Sequence, residues 1–124
     1  MQAIGHRRWA IAEGYIPSGS LSGDPTLLSH EAVCLLNGGD RDAEVEITLF
    51  FADREPAGPY RIRLGARRTL HLRFSDLDDP EPVPRDTSYA SVIDSSVPIV
   101  VQHTRLDSRQ AALALLPTIA YPVA

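Results

Sequence analysis

Residues 44–51, Glu44-Val-Glu-Ile-Thr-Leu-Phe-Phe51, alternate in polarity with a period of two. Successive side chains of a strand point to opposite faces. The segment therefore predicts a strand with Val45, Ile47, Leu49 and Phe51 on a buried face and Glu44, Glu46, Thr48 and Phe50 on the other. The pattern returns twice downstream: Tyr60, Ile62 and Leu64 alternate with Arg61 and Arg63, and Leu70, Leu72 and Phe74 with Thr69, His71 and Arg73. Three consecutive amphipathic strands set an all-β expectation.

Outward from this block, residues 32–36 and 97–102 are almost continuously apolar and rich in β-branched side chains, as more fully covered strands are. Residues 9–16 and 89–93 complete a set of about seven strands. Turn-forming segments separate them: Asn37-Gly-Gly-Asp40, Glu55-Pro-Ala-Gly-Pro59, Gly65-Ala-Arg67 and Asp78-Asp-Pro-Glu-Pro-Val-Pro84. The chain thus reads as a single-domain antiparallel β-sandwich or jelly roll over residues 1–124. Residues 108–116, rich in Ala and Leu, with Ser108 as N-cap and Pro117 as stop, form either one short helix near the C-terminus or a turn. Residues 18–25 read as a surface loop.

An apolar fraction of 44% and a charged fraction of 23% in 124 residues place the chain among ordinary globular domains. No stretch approaches the roughly 20 apolar residues of a membrane span, and Met1-Gln-Ala-Ile-Gly-His6 lacks a secretory apolar core, so a cytoplasmic protein is expected. The lone Cys34 excludes an internal disulfide and reads as a buried thiol. A net charge of −4 speaks against a continuous phosphate-neutralising surface, making DNA an unfavoured partner. His6, His30, His71 and His103 lack metal-ligand spacing, and no nucleophile elbow or phosphate-binding glycine loop is present. Neither a metal, nor another cofactor, nor an enzymatic activity is expected.

A polar residue that shares strand parity with core residues either caps the strand's end or lines a pocket. Glu13 shares parity with Trp9 and Ile11, His30 with Ala32, Cys34 and Leu36, and Asp53 with Val45 to Phe51. Arg68 does so with Leu70, Leu72 and Phe74, and His103 and Arg105 with Ile99 and Val101. These residues mark strand ends or gather into a polar rim where Trp9 or Tyr15 stacks on a ligand. In the polar run after residue 101, Arg105 and Arg109 either pair with Asp107 or contact a ligand.

Five blocks carry a family resemblance: Trp9-Ala-Ile-Ala-Glu-Gly-Tyr-Ile-Pro17, Ser29-His-Glu-Ala-Val-Cys-Leu-Leu-Asn37, Glu55-Pro-Ala-Gly-Pro-Tyr60, Ala66-Arg-Arg-Thr69, and Val97-Pro-Ile-Val-Val-Gln-His-Thr-Arg-Leu-Asp-Ser-Arg-Gln110. In this order, across residues 9–121, the chain resembles the sensory rhodopsin transducer family. The resemblance implies a small cytosolic β-sandwich that assembles as a homotetramer. It further implies a partner, the cytoplasmic face of a microbial sensory rhodopsin, whose light signal is relayed. Family members without a rhodopsin, and a polar pocket, imply small-molecule binding, with sugars as one class. The site residues expected from matching blocks are Trp9, Glu13, His30, Arg68, His103 and Arg105, with Glu31, Arg67 and Asp107 in the blocks but without parity support. The tetramer interface is the alternative role for these residues.

Overall fold

The computed structural model describes residues 2–18, 28–109 and 114–124. Most of the 18–25 loop lies outside them. The elements in chain order are β1 (His6–Gly14), β2 (His30–Asn37), β3 (Ala43–Phe51), β4 (Ala57–Leu64), β5 (Arg68–Arg73), β6 (Tyr89–Asp107), β7 (Ala114–Ile119) and β8 (Tyr121–Val123). A short 3-10 turn, Phe74–Asp76, follows β5. All strand pairings are antiparallel, and the all-β expectation holds. No helix among the described residues is long and apolar enough to cross a membrane.

The frame of the molecule is β6. At 19 residues it is several times longer than the usual strand of ~5–6, because it serves two sheets. Its first half, Tyr89 to Ser95, pairs with β3, and with β1 on the other side; β4 and β8 extend this sheet outward. Its second half, Val100 to Asp107, pairs with β2 and β7, and β5 follows β2. The two strands expected at residues 89–93 and 97–102 are therefore one. Between the β3 ladder, which ends at Ser95, and the β2 ladder, which begins at Val100, stands Pro98, whose missing N–H costs nothing at an unpaired position.

Buried side chains of β1, β2, β3, β4 and β6 meet in one core around Trp9, Leu35, Ile47, Leu49, Tyr60 and Ile93. On β3 the predicted face is the buried one. On β2 the phase is the reverse of the expected one: Val33 and Leu35 are fully buried, while Leu36 is exposed and Cys34 partly so. The thiol is accordingly not a core residue; its Sγ lies 3.6 Å from Nδ1 of His71 on β5, the residue opposite it in the ladder. Asn37, on the core phase and fully buried, donates through Nδ2 to the carbonyls of Arg41, Leu64 and Gly65, and its Oδ1 accepts from the Gly39 N–H. One amide thereby ties the β2–β3 turn to the β4–β5 turn.

The helix-like segment is also revised. Ala114 to Leu116 belong to β7, which pairs with β6 from Asp107↔Ala114 to Gln102↔Ile119. Hydrogen bonding to a long neighbouring strand outweighs the helix preference of Ala and Leu. Pro117 is tolerated because β7 is an edge strand, paired with β6 alone.

Candidate functional site

Because β2 and β6 run antiparallel, Glu31 lies opposite Arg105 and Val33 opposite His103. Alternate residues share a face, so Glu31, His103 and Arg105 project into the same end of the core. The Glu31 carboxylate is fully buried and fully coordinated. Its Oε1 accepts from Arg105 Nε at 2.6 Å and from the Tyr15 N–H at 2.7 Å. Its Oε2 accepts from His103 Nε2 at 2.7 Å and from the Tyr89 hydroxyl at 3.4 Å.

Burial pushes the Glu31 carboxyl up. Hydrogen bonds from His103, the Tyr15 N–H and Arg105, with the positive charge of His103, more than reverse this and hold it below the ordinary carboxylate value. Glu31 is thus an ionised carboxylate inside the protein, the arrangement in which charge-assisted bonds are strongest. Tyr89 is displaced the opposite way: burial first, then the Glu31 charge and hydrogen bond, drive its hydroxyl far above the ordinary phenol range. It remains a donor. Its ring packs edge-on against Phe74, with centroids 5.6 Å apart, and fills the space beside Gly14, where an added Cβ would stand 2.4 Å from Tyr89 Cε2. The β1–β6 register shifts between Ile11 and Gly14, and just beyond this irregularity the Tyr15 N–H is turned toward Glu31.

Above the cluster, between β1 and the β7–β8 turn, opens a cleft of ≈ 310 Å³. His103 and Arg105 line it, Glu13 stands at its rim, and Ile11, Ile119 and Tyr121 supply apolar wall. Glu13, on the core parity by sequence, is instead largely exposed, and approaches Arg105 Nη1 at 3.8 Å. Among the described residues no three His, Cys, Asp or Glu side chains group to hold a metal ion.

Of the expected site residues, Glu13, Glu31, His103 and Arg105 come together. Trp9 does not join them as a stacking surface: the residue is 3% exposed, and its Nε1 donates to the carbonyls of His6 and Ile99. His30 is on the opposite face of β2 from Glu31, its Nδ1 bonded to the Leu28 carbonyl at 2.7 Å. Asp107 pairs with Arg109 through two nitrogens, whereas Arg105 is engaged by Glu31. Arg67 and Arg68 lie at the far end of β2, where Arg68 pairs with Asn37. Asn37 stands six residue steps along the strand from Glu31, about 20 Å. There Arg67 Nη1 bonds Asp40 at 3.0 Å and Arg68 Nη1 bonds the Arg67 carbonyl.

Tyr89 and Gly14 were not expected in the cluster. A tyrosine at a strand's start carries no sign of where its hydroxyl points. The glycine's role shows only against the ring above it.

The family model described as Anabaena sensory rhodopsin transducer matches residues 4–122. Among solved structures, the Anabaena sensory rhodopsin transducer is similar at 60% identity and a TM-score of 0.77, the match covering 84% of this chain and 100% of that one. The Thermotoga maritima protein 1070 is similar at 34% identity and a TM-score of 0.83, with 96% of each chain covered. No curated protein matches the chain. Sequence along nearly the whole length and a fold superposing on that of the Anabaena protein agree: the chain belongs to the Anabaena sensory rhodopsin transducer family.

Proposed function

We propose that this protein is a non-catalytic, cytoplasmic signalling module that docks, as a homotetramer, on the cytoplasmic face of a membrane photoreceptor of the sensory rhodopsin class and relays its state. The observation that carries this reading is the 60% identity extending over the whole of a protein named as a sensory rhodopsin transducer. A relay of this kind needs no chemistry. It needs a surface whose affinity differs between two receptor states, and the light-driven shift is bounded by that difference. Titrating the purified protein onto a sensory rhodopsin held in lipid nanodiscs, in darkness and under illumination, is the test. Saturable binding with a light-dependent Kd supports the reading, and absence of binding in both conditions removes it. Light scattering of the free protein reads its assembly state directly.

A second reading is favoured by the cleft over His103 and Arg105, in which two nitrogen-bearing side chains meet an apolar wall, the usual make-up of a small-molecule site. Here the module binds a sugar or an organic acid, with or without a receptor. A ligand at 100 times its Kd raises stability by about 2.7 kcal/mol, so a thermal-shift screen of sugars and organic acids decides it.

A further inference from the structure

Resting on this second reading, we infer that the cleft takes a small 2-hydroxycarboxylate, its carboxylate held by the Nη edge of Arg105 and its hydroxyl by Nδ1 of His103.

Arg105 spends Nε on Glu31. Among the described residues its Nη edge meets only Glu13, at 3.8 Å, beyond hydrogen-bond length, and that carboxylate is 82% exposed. Half of a planar, bidentate donor is thus left facing the cleft, the shape that matches a carboxylate. His103 is likewise half used. Nε2 is engaged by Glu31, and Nδ1 has no partner among the described residues although the residue is only 6% exposed. Nor is that nitrogen sealed: the one enclosed side-chain polar atom without a partner among the described residues is Ser91 Oγ. With Nε2 bonded to Glu31, Nδ1 is the ring nitrogen left over, and a hydroxyl, which both donates and accepts, satisfies it in either protonation state of the ring.

The two groups stand on alternate residues of one strand, about 7 Å apart at Cβ. Both bond the one Glu31 carboxylate and both line the same cleft, so one small ligand seated there meets both side chains. A carboxylate with a hydroxyl on the adjacent carbon meets both. A neutral polyol offers Arg105 no charge, and a plain carboxylate leaves Nδ1 without a partner, a loss that discriminates strongly in a desolvated site. Ile11, Ile119 and Tyr121 then face the ligand's apolar tail. Glu13 competes for the same guanidinium, so its charge opposes the ligand.

The test is calorimetric titration with four compounds: 2-hydroxy-4-methylpentanoate, 4-methylpentanoate, 4-methylpentane-1,2-diol and glucose. The hydroxy acid is expected to bind about tenfold or more tighter than either relative lacking one group, and Glu13→Gln, at an exposed position, to tighten it further. Arg105→Gln is expected to abolish binding; should that variant fail to fold, Ala12→Trp, at the exposed rim of the cleft, blocks the site without touching the cluster. Diol or glucose binding as tightly as the hydroxy acid overturns the assigned class while leaving a small-molecule site in place. Hydroxy-acid binding that survives Ala12→Trp overturns the location, and no binding by any of the four overturns both the class and the cleft as a ligand site.

Discussion

Glu31 and His103 form a diagonal pair across the β2–β6 ladder, Oε2 to Nε2 2.7 Å, in a pocket from which the carboxylate has no contact with water. Removing one member of such a pair strands the other's partners. Glu31→Gln leaves the Arg105 cation without its counter-charge and is expected to cost about 3 kcal/mol, lowering Tm by on the order of 10 °C. Glu13→Gln, whose ion pair with Arg105 is long and exposed, should change stability by less than about 0.5 kcal/mol. Paired thermal melts measure the contrast, and equal effects would refute the assignment of Glu31 as the organising charge.

The depressed Glu31 carboxyl links stability to pH. Its folded value lies below the ordinary 4.5, so near that pH the unfolded state binds more protons than the folded one. The contribution is complete above the ordinary value and is lost as pH falls through the folded one. Melts from pH 7 down to pH 3 should therefore show the difference between wild type and Glu31→Gln shrinking on the acid side. A constant difference across that range would contradict the ionised, buried state.

Gly14 is there for Tyr89. A methyl at Gly14 would stand 2.4 Å from Tyr89 Cε2, inside van der Waals contact, and Gly14→Ala is expected to destabilise by about 2 kcal/mol. Shrinking the ring should relieve the clash, so Gly14→Ala combined with Tyr89→Leu costs less than the sum of the two. Strict additivity in urea titrations would show that the ring and the glycine are not coupled.

The buried Ser91 hydroxyl has no hydrogen-bond partner among the described residues. Ser91→Ala removes an unpaired polar group and no bond, so stability should stay the same or rise by up to about 1 kcal/mol. A loss above that size would mean that the hydroxyl is satisfied in solution.

Arg67 and Arg68, at the far turn, are expected to be silent toward a cleft ligand. Replacing both with Ala should leave the Kd for 2-hydroxy-4-methylpentanoate within about twofold, since sites so far apart without shared partners act independently.

Strands whose two faces differ were legible. Residues 44–51 and 60–64 place alternating side chains in oil and water, and the structure turns the expected set toward the core, with Phe51 and Ile62 half-buried. β2 was legible as a strand but not in its phase: residues 32–36 are apolar at every position, so period-two reading cannot separate Val33 and Leu35 from Cys34 and Leu36, and polar residues end the run on both phases. That ambiguity left Glu31, the centre of the cluster, supported by the family resemblance alone, and favoured His30, which faces away. The continuity of β6 was hidden by Asp94, Ser95, Ser96 and Pro98, poor strand formers individually, which stand where one ladder hands over to the next. His103 and Arg105 were singled out by parity with Ile99 and Val101 and by the family resemblance together. That they converge on one carboxylate depends on a pairing 72 and 74 residues apart in the chain, which local pattern does not encode.

Because β6 belongs to both sheets, neither has an independent way to come undone. Melting the β2 side strips Val101 and His103 of their neighbours and pulls on the same backbone that holds Ile93 between β1 and β3. Amide hydrogen exchange at Ile93 and at Val101 should accordingly report one common opening free energy, the global one, where two separately seated sheets would give two foldons. A push at the cleft end of this strand is felt along all of it, which makes the molecule a lever in the mechanical sense as well as a scaffold.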